Sequence, residues 1–145
     1  LDHGANAEKL LLKVNKLCDY AAADGCYKYE IDPDTGTQIS GARGGTGDGG
    51  YRLPESKTGA SSSTHRTGEG VDPADSLRIF AQWCILNQPR LDELGLYMED
   101  PRWTPVWCHF QTKRPGSGKR VYIPSNMPPL APALEGQKPL PFIIK

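Results

Sequence analysis

Between Ala5 and Ala23 the chain carries Leu10, Leu11, Val14, Leu17, Cys18 and Ala21 at helical spacing, with Lys9, Lys13, Lys16 and Asp19 between them. Apolar residues recurring every three to four positions line one face of a helix, and that face must be buried against something. Asn6 reads as the N-cap of this amphipathic helix and Gly25 as its stop. The 16 Gly and 13 Pro of the 145 residues predict that much of the remainder is loop and short elements.

Those shorter elements can be placed in order. Cys26–Ile31 has strand character, Asp32–Gly36 is a turn, and Thr37–Ser40 reads as a returning strand. Residues 41–50, GARGGTGDGG, hold six glycines in ten positions, but no G-K-[ST] follows, so a surface loop is expected there and not a phosphate cradle. Asp75–Asn87 is a second helix, with Leu77, Phe80, Ala81 and Cys84 on one face, widened by Ile79, Trp83 and Leu86. A helical turn over Pro89–Leu94 ends at Gly95. Leu96–Met98, Pro105–Thr112 and Arg120–Ile123 read as strands, the last two joined by a loop over Lys113–Lys119. The expected fold class is α+β, a small antiparallel sheet flanked by helices. One domain is expected over residues 1–124, followed over residues 125–145 by a proline-rich extended tail that packs through Leu140, Phe142 and Ile143.

Composition narrows the function classes. Formal net charge is zero, so no global field draws the chain to nucleic acid or to an anionic membrane. Lys113, Arg114, Lys119 and Arg120 gather in a Gly-Pro loop and read as a solvated tip. No run approaches the roughly 20 apolar residues of a membrane span. No basic-plus-apolar signal segment stands at the start, and the cysteine usage favours synthesis in a cytoplasm. Cys18, Cys26, Cys84 and Cys108 form no C-x-x-C pair, which argues against a zinc ribbon or a redox motif and for reduced thiols.

The residues with chemistry to offer lie in two separate stretches. In Ser63-Thr-His65-Arg-Thr-Gly68-Glu-Gly70-Val-Asp72 a histidine and an aspartate stand seven residues apart in a polar, glycine-containing segment. By itself that is an ordinary loop, and Asp72 before Pro73 would serve equally as a helix N-cap. The second stretch is Trp107-Cys-His109, in an apolar strand where a histidine needs a partner for each ring nitrogen. Alternation puts His109 on one face with Trp107 and Gln111, and Cys108 and Phe110 on the other. His65, Asp72 and His109 make a common zinc set that leaves a fourth position open for water, the catalytic and not the structural arrangement. Cys108 as a fourth, closing ligand is the alternative, disfavoured by its direction on the strand.

The pattern S-x-H-x-x-G-x-[AG]-x-D over residues 63–72 resembles the signature of the D-alanyl-D-alanine carboxypeptidase family of zinc peptidases. That family includes dipeptidases of glycopeptide resistance and phage L-alanyl-D-glutamate endolysins, and the hedgehog signalling domain shares its fold. Gly50-Tyr-Arg52-Leu-Pro54 is similar to an upstream segment of the family whose arginine faces the scissile carbonyl, and Val106-Trp-Cys-His109-Phe110 answers to the strand of the third ligand. Together the three segments cover roughly residues 38–112. The resemblance implies one zinc ion held by His65, Asp72 and His109, lowering the pKa of a bound water to about 7. It implies Arg52 as the charge that stabilises the oxyanion. Ser63, Arg52 and Trp107 are expected at the substrate, with Ser63 alternatively orienting a ligand. The implied partner is a peptidoglycan stem peptide cut at a D-Ala-D-Ala or L-Ala-D-Glu bond, with no nucleic acid or membrane partner and a monomeric chain. Action at the cell wall, in a phage or prophage setting, follows from the same resemblance.

One position departs from the family. Its active members carry an acid three residues before the last histidine, as the base that takes the water's proton; here that residue is Val106. The hedgehog domain carries a glutamate about six residues before, where this chain has Trp103. Glu99 and Asp100, ten and nine residues before His109, are the nearest carboxylates and the candidate catalytic acids, with Glu69 a further one. Without a base, a zinc-bearing but weakly catalytic binding or phage structural module, or a hedgehog-like protein-binding domain, is the alternative.

Overall fold

The computed structural model describes residues 3–28, Asp34 and residues 63–124. The expected strand over Thr37–Ser40, the glycine-rich loop, Arg52 and the tail from residue 125 lie outside the described residues. So does Cys26–Ile31 beyond Lys28, and its described part, Cys26–Lys28, is in no strand.

Helix α1 spans His3–Ala23 and buries Leu10, Val14, Leu17, Cys18 and Ala21, the stripe expected from the periodicity without Leu11. Leu11 and Leu12 fall off that stripe and stay exposed. The helix begins ahead of Asn6, so Asn6 is not its cap. Instead the Asn6 Nδ2 donates to the Thr67 carbonyl at 3.1 Å, tying α1 to the loop that carries His65. Gly25 ends the helix at φ +74°, where Gly25 N–H donates to Ala22 at 3.0 Å and Cys26 N–H to Ala21 at 2.8 Å.

Two short helices follow, α2 over Ile79–Leu86 and α3 over Gln88–Leu94. The start of α2 corrects the expectation of a helix from Asp75. Arg78 takes a left-handed turn at φ +64°, and the Asp75 side chain reaches forward to cap the helix, accepting from Phe80 N–H at 3.1 Å and Ala81 N–H at 2.9 Å. The Arg78 guanidinium is buried against carbonyls, donating to Trp107 at 2.9 Å and Pro101 at 3.0 Å. Capping therefore falls to Asp75, and Asp72 keeps its carboxylate for other partners. Gly95 closes α3 in a left-handed conformation.

Among the described residues the sheet has four short strands, β1 Gly70–Val71, β2 Tyr97–Glu99, β3 Phe110–Gln111 and β4 Val121–Tyr122, in the order β1-β3-β2-β4. β3 is antiparallel to both neighbours, but β4 runs parallel to β2. The architecture is thus α+β with a mixed sheet, and the purely antiparallel expectation is corrected. Both edges of β3 are taken by β1 and β2, so the chain leaving β3 cannot fold back beside it; it crosses β2 and adds at the far edge. The expected strand Pro105–Thr112 shortens to β3 plus an isolated bridge between Trp107 and Ala74.

One face of the sheet is core. Met98 and Phe110 lie fully buried against Leu10, Leu17, Phe80 and Leu91, and burying each such side chain stabilises by about 1.5–3 kcal/mol. Cys18, Cys84 and Cys108 are buried in the same cluster and all four thiols are free. Burial pushes the Cys18 thiol up to about 12, so it stays protonated and inert. Among the described residues no helix is long and apolar enough to cross a membrane.

Gly68 shows how tightly α1 sits on the site-bearing loop. It adopts φ +74°, and a Cβ added there would run into the His3 carbonyl oxygen and stand 2.8 Å from the Ala7 nitrogen. Gly68→Ala is expected to destabilise the fold by about 1–3 kcal/mol, from backbone strain and displacement of α1 together. A thermal melt checks this; an unchanged melting temperature would mean that α1 can shift freely over the loop.

Candidate metal centre

The two stretches singled out in the sequence meet on the sheet face opposite the core. His65 sits in a 3₁₀ turn over Thr64–Thr67, opened by Ser63, whose Oγ accepts from His65 N–H at 3.3 Å. Gly68 reverses the chain into β1, and Asp72 follows directly. β1 pairs with β3, so Asp72 comes alongside His109, which immediately precedes β3. Gly70 makes room for the ring: a Cβ there would lie 2.9 Å from His109 Cε1 and against the Thr64 hydroxyl.

Asp72 Oδ1 lies between the two imidazoles, 3.2 Å from His65 Nε2 and 2.7 Å from His109 Nδ1. All three residues are buried, and one ligand atom from each falls within 4.8 Å of the others. The ring centroids are 5.1 Å apart. Three donors of this hardness, one of them anionic, converging on one point form a cluster that could hold a metal ion.

The electrostatics bind the cluster together. Burial alone would raise the Asp72 pKa, but hydrogen bonds from His109 and His65, and their charges, outweigh it and hold the carboxyl below its ordinary range. Burial opposes charge on His109, yet the Asp72 hydrogen bond and charge, reinforced by Glu99 and Gln111, push its pKa up.

Glu99 belongs to this face. Met98 pairs with Phe110 on the core side, and Glu99 N–H donates to the His109 carbonyl at 3.0 Å, so Glu99 stands across from His109. Opposed residues in an antiparallel pair project to the same side. Burial raises the Glu99 carboxyl to about 7; the His109 charge opposes that rise, and Asp72 and Asp100 add to it. Asp100 projects away. Its Oδ1 caps the turn Pro101–Trp103 through Arg102 N–H at 3.0 Å, and its Oδ2 pairs with the Arg102 guanidinium at 2.9 Å.

The other named residues are placed as follows. The Glu69 carboxylate accepts from the Thr67 hydroxyl at 2.7 Å within the turn. Ser63 caps the turn that carries His65. Trp107 is half-buried, its carbonyl held by Arg78. Cys108 faces the opposite side and donates to Asp75 Oδ2 at 3.4 Å, which removes it from the ligand set. Val106 is 41% exposed. Arg52 lies outside the described residues.

No family model, curated protein or solved structure matches this chain. What the site can do is therefore read from its own geometry.

That geometry adds residues that the sequence did not single out as functional. Gln111 Oε1 lies 2.9 Å from His109 Nε2 and accepts from the Tyr122 hydroxyl at 2.7 Å, while Gln111 Nε2 donates to the Lys113 carbonyl at 2.7 Å. The Thr64 hydroxyl lies 3.4 Å from the same imidazole nitrogen. Alternation already put Gln111 on the His109 face; nothing local tells that β4 brings Tyr122 there.

The folded Glu99 pKa of about 7 stands above its ordinary 4.5, so the fold holds a proton that the unfolded chain releases. Stability is then lost as pH rises from 4.5 through 7, by on the order of 1–3 kcal/mol after allowance for partial exposure. His109, raised from 6.5, adds loss in the same direction as pH rises through its folded value. Asp72 works oppositely, its stabilisation being lost as pH falls below 3.8. Chemical denaturation of metal-free protein between pH 4.5 and 8 should show declining stability. Glu99→Gln should flatten the portion below pH 7, and an unchanged slope would place Glu99 in water.

Proposed function

We propose that this protein is a zinc-dependent peptidase acting on peptidoglycan stem peptides, at a D-Ala-D-Ala or an L-Ala-D-Glu bond. His65, Asp72 and His109 hold one zinc ion, and Glu99 is the general base in place of the acid missing at Val106. The observation that carries the reading is the position of Glu99, a half-buried carboxyl across from His109 on the sheet face where the three candidate ligands converge. The substrate class comes from the resemblance of residues 50–54, 63–72 and 106–110 to the D-alanyl-D-alanine carboxypeptidase family. Action at the cell wall, in a phage or prophage setting, rests on that resemblance alone.

A bound zinc ion would supply Lewis acidity toward the attacking water and the substrate carbonyl. The residues supply the rest. A Glu99 carboxylate accepts the proton released as water adds to the carbonyl carbon, then delivers it to the amine nitrogen as the C–N bond breaks. A carboxyl near neutrality suits both halves of that transfer. Asp72 and the two imidazoles hold the ligand atoms within a buried cluster, and the resemblance assigns Arg52 the positive charge for the developing oxyanion.

Val106, an exposed valine where the family carries its acid, favours a second reading, a zinc-bearing module that binds peptide without cutting it. Incubation of the zinc-loaded protein with purified muropeptides, followed by mass spectrometry, separates the two. Products of a single peptide-bond cleavage, absent after chelation, are expected. Intact muropeptides at high protein concentration would overturn the peptidase reading and leave the binding module standing.

A further inference from the structure

We infer that Gln111 is a positioning residue for the metal centre: clamped by Lys113 and Tyr122, it keeps the His109 proton on Nε2 and turns Nδ1 toward the metal. This rests on the reading of His65, Asp72 and His109 as ligands, and concerns how one of them is oriented.

Hydrogen-bond chemistry fixes the amide. Gln111 Nε2 stands 2.7 Å from the Lys113 carbonyl, which can only accept. Turning the amide over would set two oxygens against each other there, so the oxygen must face His109 and Tyr122. Tyr122 donates its hydroxyl proton to that oxygen at 2.7 Å. His109 Nε2, 2.9 Å from the same oxygen, therefore carries a hydrogen. Asp72 Oδ1, a carboxylate oxygen that can only accept, faces Nδ1 at 2.7 Å in the metal-free protein; a metal ion held by Asp72 would take the place of that Nδ1 hydrogen, while Nε2 keeps its own. A ligating histidine whose other ring N–H is held by a fixed acceptor keeps its tautomer and ring orientation. Here the acceptor is itself held from two sides, and all three side chains, His109, Gln111 and Tyr122, are buried.

Nitrogen-resolved NMR of zinc-loaded protein with ¹⁵N-labelled histidine reads the tautomer directly. His109 should show a protonated Nε2 and a metal-shifted Nδ1. Gln111→Leu, which keeps the bulk and removes the acceptor, should weaken zinc binding by about 10–100-fold and let Nε2–H exchange freely. Tyr122→Phe leaves the Gln111 oxygen in place and should change zinc affinity less than Gln111→Leu does. Zinc bound through Nε2 of His109 in the wild type would overturn the inference while sparing the ligand set, as would unchanged affinity in a folded Gln111→Leu. Failure of the wild type to bind zinc at all would overturn the ligand set and this inference together.

Discussion

Asp72→Ala is expected to abolish stoichiometric zinc binding and peptide cleavage together. The aspartate is the anionic member of the cluster, and its Oδ1 is shared by both imidazoles at 3.2 and 2.7 Å. Removing it leaves two neutral nitrogen donors, too few for a structural or catalytic zinc site. The metal-free fold should suffer too, because His109 keeps its buried position and loses the carboxylate that stabilises its charge. Breaking a buried pair from one side costs about 3–5 kcal/mol. Isothermal titration with zinc and a denaturant melt measure the two effects. Retained micromolar zinc affinity in a folded Asp72→Ala would mean that the ion sits elsewhere.

Glu99→Gln should separate chemistry from binding. The amide preserves size and hydrogen-bonding capacity but cannot take a proton from water, so kcat should fall by about 10²–10⁴-fold with zinc content unchanged. Asp100→Asn, one residue along, should leave kcat within about threefold, since its carboxylate is engaged with Arg102 and its loss touches only a surface turn. Steady-state cleavage of a muropeptide by the two variants makes the comparison. Equal losses in both, or none in Glu99→Gln, would remove Glu99 as the base.

The contrast between these neighbours shows where sequence reading reached its end. Strand alternation says that Glu99 and Asp100 point to opposite sides, but not which side is the site. That is decided by the pairing of Met98 with Phe110, a contact between separate strands that neither strand encodes alone. The same alternation, applied within one strand, correctly sorted His109 and Gln111 from Cys108 and Phe110, because one buried face is enough to fix it. The α1 stripe was readable for the same reason. Capping propensity is local, whereas Asn6 finds its partner far along the chain at Thr67, and the helix expected from Asp75 begins only at Ile79, with the Asp75 carboxylate capping it from outside. The parallel β4 was hidden because two-residue strands carry no directional pattern; its place depends on which sheet edge remains free.

X-ray absorption at the zinc edge of the loaded protein tests the ligand set most directly, because the chain offers four free thiols as competitors. Two imidazole nitrogens and a carboxylate oxygen should give a first shell at about 2.0–2.1 Å with imidazole outer-shell scattering, lost in His109→Ala. A sulfur shell at about 2.3 Å, or imidazole scattering undiminished in His109→Ala, would contradict a zinc centre built from His65, Asp72 and His109.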